Sequence, residues 1–91
     1  MPSRASDLPL GNRATSSPVV RSSSELGAIV REQRKRLALK QLDIAGLGNT
    51  GNRFIVDLEN GKPTVQLQKV LDIMDLLGLE LIVRPKAGRA L

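Results

Sequence analysis

The stretch Arg53-Phe54-Ile55-Val56-Asp57-Leu58-Glu59-Asn60-Gly61-Lys62-Pro63 decides how this chain is read. Phe54, Ile55 and Leu58 recur at helical spacing among polar residues, and Gly61 ahead of Pro63 supplies a stop. The spacing predicts a short helix from about Asn52 to Asn60, apolar behind and polar at its start. Just upstream, Leu39-Lys40-Gln41-Leu42-Asp43-Ile44-Ala45 reads as a second short amphipathic helix. It runs from about Lys40 to Leu47 and turns Ile44, Ala45 and Leu47 inward. Gly48-Asn49-Thr50-Gly51 joins the two, since Gly and Asn accept positive φ at little cost.

Two further helices flank this pair. Ser23 or Ser24 caps the first, which ends near Arg36 and packs through Leu26, Ile29, Val30, Gln33 and Leu37. Its other side carries Arg31, Arg34, Lys35 and Arg36. Pro63-Thr64 opens the last helix, Val65 to Leu77, with Leu67, Val70, Leu71, Met74 and Leu77 in one stripe. Ile73 and Leu76 fall off that stripe and widen the apolar surface beyond the needs of a four-helix core. After Gly78 the period changes: Leu79, Leu81 and Val83 alternate with Glu80, Ile82 and Arg84, the pattern of a strand. A lone strand leaves its backbone groups unpaired, so its expected partner is the same strand of a second copy. A frayed tail is the alternative. Ile73, Leu76, Leu79, Leu81 and Val83 are therefore the expected dimer interface.

Composition limits the function classes. Ninety-one residues allow one small domain. Residues 1–23, rich in Ser and Pro with scattered Arg and no sustained period, are expected to form a disordered arm. Residues 24–84 form the folding unit, and residues 85–91 a flexible tail. Val19-Val20 is a weaker candidate for a docking strand. The arm is basic, with apolar patches at Leu8-Pro9-Leu10 and Pro18-Val19-Val20, which suits a protein partner better than a phosphate backbone.

The chain has no Cys or His, so disulfides, zinc sites and histidine chemistry are not expected, nor is any other metal or cofactor. With no Trp or Tyr and a single Phe, it lacks the aromatic platforms that bind single strands by stacking. A net charge of +5 points to an anionic partner such as nucleic acid. No apolar run suggests a membrane span or a secretory leader, and the expected location is cytoplasmic. An enzyme has little support, since Asp43, Asp57 and Glu59 lie on helix surfaces without a pocket.

Two short helices joined by a tight turn in a basic chain are the layout of a helix-turn-helix reader of DNA. Leu26-Gly27 with Arg31 and Arg34, then Gln41, Ala45 and the run Arg53 to Pro63, resembles the Xre/Cro-type helix-turn-helix family. Pro63-Thr64-Val65-Gln66-Leu67 and Gly78-Leu79-Glu80-Leu81 resemble the HipB-like antitoxin branch of that family, whose toxin is a HipA-type serine/threonine kinase. The resemblance spans about Ser24 to Pro85. It implies a mostly α, lambda-repressor-like bundle of about four helices, closed into a homodimer by its C-terminal strands. It further implies a repressor that binds an inverted-repeat operator, regulates its own operon and restrains the kinase toxin. A stand-alone Xre-type repressor and a protein-interaction module without DNA binding remain the alternatives.

By the same resemblance Gln41 anchors a phosphate at the start of the second helix, beside Lys40. Asn52, Arg53 and Asp57 face base edges, while Asn60 and Lys62 lie near the next phosphates. Arginine matches guanine O6 and N7 bidentately, and asparagine does the same for adenine, which suits both to the first turn of a reading helix. For Arg31, Arg34, Lys35 and Arg36 two readings stand, a solvated basic face or phosphate contact, with Arg34 the favoured contact. Glu59 is expected to pair with a helix-one arginine. The chain departs from the family pattern at Lys40, at Asn49-Thr50 and at Gly51, where caps or apolar residues are usual, so a looser turn is expected.

Overall fold

The computed structural model describes residues 17–86. Four helices follow one another: α1 (Ser23–Arg36), α2 (Gln41–Leu47), α3 (Asn52–Glu59) and α4 (Leu67–Leu76). Most of the expected arm, and the chain beyond residue 86, lie outside the described residues. Val19 and Val20, which do not, are exposed and belong to no strand.

The start of α1 is set one residue earlier than expected. Ser22 is the cap, its hydroxyl accepting from the Glu25 N–H at 3.0 Å, while the Ser23 hydroxyl donates to the Gly61 carbonyl at 2.8 Å. All four helices end in the same way. Each has a left-handed residue just past its cap, at Ala38, Asn49, Gly61 and Gly78. The amide beyond each of these closes back onto the helix: Leu39 to Arg34, Thr50 to Ala45, Lys62 to Asp57 and Leu79 to Met74, at 2.8–3.1 Å. This pattern satisfies carbonyls that a helix end leaves open. In the turn between α2 and α3 only Asn49 takes the positive φ. Gly48 and Gly51 do not, so the glycine at 48 has another cause. A Cβ there would sit 2.7 Å from Ile73 Cδ1, so the missing side chain lets α4 approach α2.

Gly27 plays a similar part on α1. A Cβ at that position would lie 2.4 Å from the Leu58 carbonyl oxygen, so α1 crosses α3 backbone to backbone. Helix α3 packs on both α1 and α2, and α2 packs on α4. The core they enclose consists of Val30, Ile44, Ala45, Ile55, Leu58, Val70, Ile73, Met74 and Leu77. Phe54, Leu26, Leu39, Val65, Leu71 and Leu79 pack around it, half-buried.

Three inward assignments and one outward one need correction. Leu37, the cap that ends α1, is exposed. Leu47 is exposed, because the next position on the Ile44 stripe is Gly48. Leu67 is exposed at the first turn of α4, at the edge of the buried stripe. That stripe is Val70, Ile73, Met74 and Leu77, spaced i, i+3, i+4 and i+7, so Ile73 is core at 1% exposure rather than a spare surface residue. Leu76 does face outward. Residues 79–86 carry no regular secondary structure; Leu79 rests on the core, while Leu81, Ile82 and Val83 are exposed.

Candidate nucleic-acid interface

The outward side of α3 carries Asn52, Arg53, Val56, Asp57 and, one residue past the helix, Asn60. These positions repeat at one helical turn, so they share a face. Asn52, Arg53 and Asn60 are exposed, while Val56 and Asp57 are half-buried. Gly51 precedes α3 and offers no side-chain cap; the Phe54 N–H bonds the Gly51 carbonyl at 3.1 Å, and no cap side chain covers the Asn52 and Arg53 amides. Lys40 and Lys62 are also exposed, at the start of α2 and just past α3. The face presents donors and positive charge around one carboxylate.

That carboxylate is Asp57. Its Oδ1 lies 3.2 Å from Arg53 Nε one turn earlier on α3, and its Oδ2 lies 3.5 Å from Lys62 Nζ. At the start of α2, the Asp43 carboxylate accepts from the Lys40 N–H at 2.7 Å, which is the reciprocal half of a capping box. The half that a Ser or Thr at position 40 would supply is missing, since a lysine side chain cannot accept.

Behind the face is a buried polar tie that the spacing of charges foreshadows only in part. Arg34 Nε meets Glu59 Oε2 at 2.6 Å and Arg34 Nη2 meets Oε1 at 3.0 Å, a bidentate pair. Arg34 Nη1 donates to the Leu39 carbonyl at 2.8 Å, and Gln41 Nε2 donates to Glu59 Oε1 at 3.1 Å. The pair joins the end of α1 to the end of α3, and Gln41 ties α2 to both. Glu59 thus takes the arginine of helix one expected for it. Arg34 itself is a correction: it belongs to the buried stripe Gly27–Val30–Arg34 of α1, not to the outer face, and its donors are used internally. Arg31, Lys35 and Arg36 are the exposed cations of that helix.

Gln41 has one hydrogen of its amide on Glu59 and keeps a second donor. Val56 joins this face in addition to the polar residues that the sequence points to. Its spacing marks it, one turn from Asn52 and one turn from Asn60.

Among the described residues no helix is long and apolar enough to cross a membrane. No family model matches the chain. It is 48% identical over 59 residues to an uncharacterized HTH-type transcriptional regulator, y4mF, of Sinorhizobium fredii, a match covering 65% of this chain and 78% of the relative. Among solved structures it resembles a HipB–O4 20mer complex, with a TM-score of 0.71 at 17% identity, over 77% of this chain and 99% of that one. A HipA–HipB–O2–O3 complex matches with the same TM-score, identity and shares of each chain. At this identity the structural likeness establishes the fold, a HipB-like helix-turn-helix bundle.

Proposed function

The chain belongs to the HTH-type transcriptional regulators, not to an enzyme family, and from that premise we propose that it is a dimeric, sequence-specific repressor acting on double-stranded DNA. The observation that carries this reading is the outward face of α3, with Asn52 and Arg53 exposed at an uncapped helix start. In the major groove Arg53 meets guanine and Asn52 adenine, each bidentately. The methyls of Val56 suit a thymine methyl group. Gln41, through its second amide hydrogen, and Lys40, Asn60 and Lys62 hold the phosphates on either side. Arg34 takes no part, because its guanidinium is already bound to Glu59.

The dimer forms through Leu76 and the segment Leu79 to Arg84, whose apolar side chains Leu81 and Val83 are exposed in the single chain. Pairing of these segments about a two-fold axis supplies the ladder that each lacks alone. Two reading helices then engage half-sites about 34 Å apart, one turn of duplex. HipB shares this fold and occurs with HipA and operator DNA. On that likeness the chain acts as the antitoxin of a HipA-type kinase, represses its own operon and works in the cytoplasm.

Selection of duplexes from a randomised pool by the full chain, followed by titration across salt, tests the reading. An inverted repeat with half-sites one turn apart is expected. A chain that enriches no sequence is an interaction module instead. Sedimentation should show a dimer that is lost when residues from Gly78 onward are removed, and co-purification with a HipA-type kinase encoded beside it tests the antitoxin role.

A further inference from the structure

We propose that Asp57 is a positioning residue, holding Arg53 and Lys62 together on the outer face of α3 so that reading starts from a fixed geometry. This rests on the DNA-binding reading above and departs from the expectation that Asp57 itself meets a base. Both oxygens of the carboxylate are already engaged, Oδ1 by Arg53 and Oδ2 by Lys62. Each oxygen keeps further lone pairs, but a cytosine or adenine amino group would have to share the carboxylate with both cations.

The exposures say which partner is fixed. The Asp57 side chain is 17% exposed, whereas those of Arg53 and Lys62 are 84% and 54% exposed. The acid is seated against the helix and the two long cations come to it. Lys62 is brought there by the backbone: Gly61 turns with φ at 82°, and the Lys62 N–H then bonds the Asp57 carbonyl at 2.9 Å. Arg53 uses Nε on the carboxylate, which leaves both terminal nitrogens of its fork for guanine O6 and N7.

Exposed ion pairs contribute little to folding, so stability does not account for a carboxylate placed among DNA-facing cations. Its effect on binding is larger and has two parts. It orients Arg53 before contact, and its negative charge opposes phosphate wherever base contacts do not compensate. Asp57 thereby lowers affinity for unrelated DNA and raises discrimination.

The test compares the full chain with Asp57→Asn, Asp57→Glu and Asp75→Asn. Asp75 is exposed on α4 and gives a charge-matched control. Three duplexes are titrated across salt: the one selected from a randomised pool, the same with the Arg53-dependent guanine replaced, and an unrelated one. Asp57→Asn should tighten the unrelated duplex several-fold, with a salt slope steeper by up to about 0.9, because the carboxylate no longer competes with phosphate for Lys62. It should also cut discrimination at the guanine by roughly tenfold. Asp57→Glu should restore part of that discrimination, and Asp75→Asn should leave it unchanged.

Loss of preference at a different base pair, with guanine discrimination intact, would show Asp57 reading a base directly and overturn the proposal. Unchanged discrimination in Asp57→Asn overturns it too. A readout without DNA separates this failure from failure of the DNA-binding reading. In the free protein the Arg53 Nε–H should be ordered by NMR relaxation in the parent and in Asp57→Glu, and mobile in Asp57→Asn. Equal order in the parent and Asp57→Asn sinks the clamp whatever the chain binds.

Discussion

Helix α3 carries an arginine–carboxylate pair at each end, and the two do opposite work. At its C-terminal end Arg34 and Glu59 are 10% and 2% exposed, bidentate, and sealed by Leu39 and Gln41. Toward its N-terminal end Arg53 stands 84% exposed on Asp57, one oxygen to one nitrogen. Charges taken out of water need full pairing, so the first pair fixes how α1, α2 and α3 meet. Charges left in water exchange partners cheaply, so the second can give up part of its pairing to a ligand. One helix is thereby anchored at one end and free to read at the other. Identical side-chain chemistry yields framework or function according to burial.

The sharpest break of that contrast is Glu59→Ala. It leaves Arg34 buried with only the Leu39 carbonyl and removes the acceptor of Gln41. Removing one member of a buried pair costs about 3–5 kcal/mol, a large share of the stability of so small a domain. Urea unfolding should show the loss as a lowered midpoint at unchanged slope. Replacing Arg34 and Glu59 together by Met and Leu should cost less than Glu59→Ala alone, because no buried charge is then stranded. A Glu59→Ala loss under about 1 kcal/mol would mean that water reaches the pair, and the contrast between the two ends would collapse.

That contrast also marks where the sequence is legible. Helix order, the turn at 48–51, the stop at Gly61 and the break in helical period at Gly78 follow from local spacing, and the structure keeps them. The outward positions of Asn52 and Arg53 follow from the same helical period. What the period does not encode is a partner distant in the chain. Arg34 reads as one of four basic residues on an outer face, because its carboxylate lies 25 positions away. Ile73 reads as surplus, because the gap it fills is opened by Gly48 on another helix. Leu47 is misassigned for the same reason, its expected place being taken by a residue with no side chain.

Arg53→Ala probes the exposed end. Folding stability should change by at most about 1 kcal/mol, since a pair this exposed contributes little. Affinity for the selected duplex should fall by about 1–3 kcal/mol, with preference relaxed at one base pair per half-site. Gln41→Ala should weaken all duplexes alike, because phosphate contacts position without specifying. An Arg53→Ala chain that binds its operator as tightly as the parent would remove α3 from the reading role and leave its two ends functionally equivalent.

The smallest effect comes from Ala38→Gly, and it has the opposite sign. Ala38 sits at φ 59°, the left-handed residue that ends α1, where the other three helices use Asn or Gly. Its neighbour Leu39 donates to the Arg34 carbonyl at 3.1 Å and accepts from Arg34 Nη1 at 2.8 Å, so the strained residue lies inside the loop that seats the buried pair. A Cβ in this conformation costs about 1–2 kcal/mol against the following carbonyl oxygen. Glycine removes that strain but gives the unfolded chain more freedom, which offsets about 0.4–1 kcal/mol. The net expectation is a gain of about 0.5–1 kcal/mol, read as a higher urea midpoint at unchanged slope. Duplex affinity and salt dependence should stay as they are, because nothing on the outer face of α3 moves. Destabilisation by Ala38→Gly would mean that the alanine methyl is a packing contact of the anchor. A change in duplex affinity would mean that the anchored and reading ends of α3 are coupled.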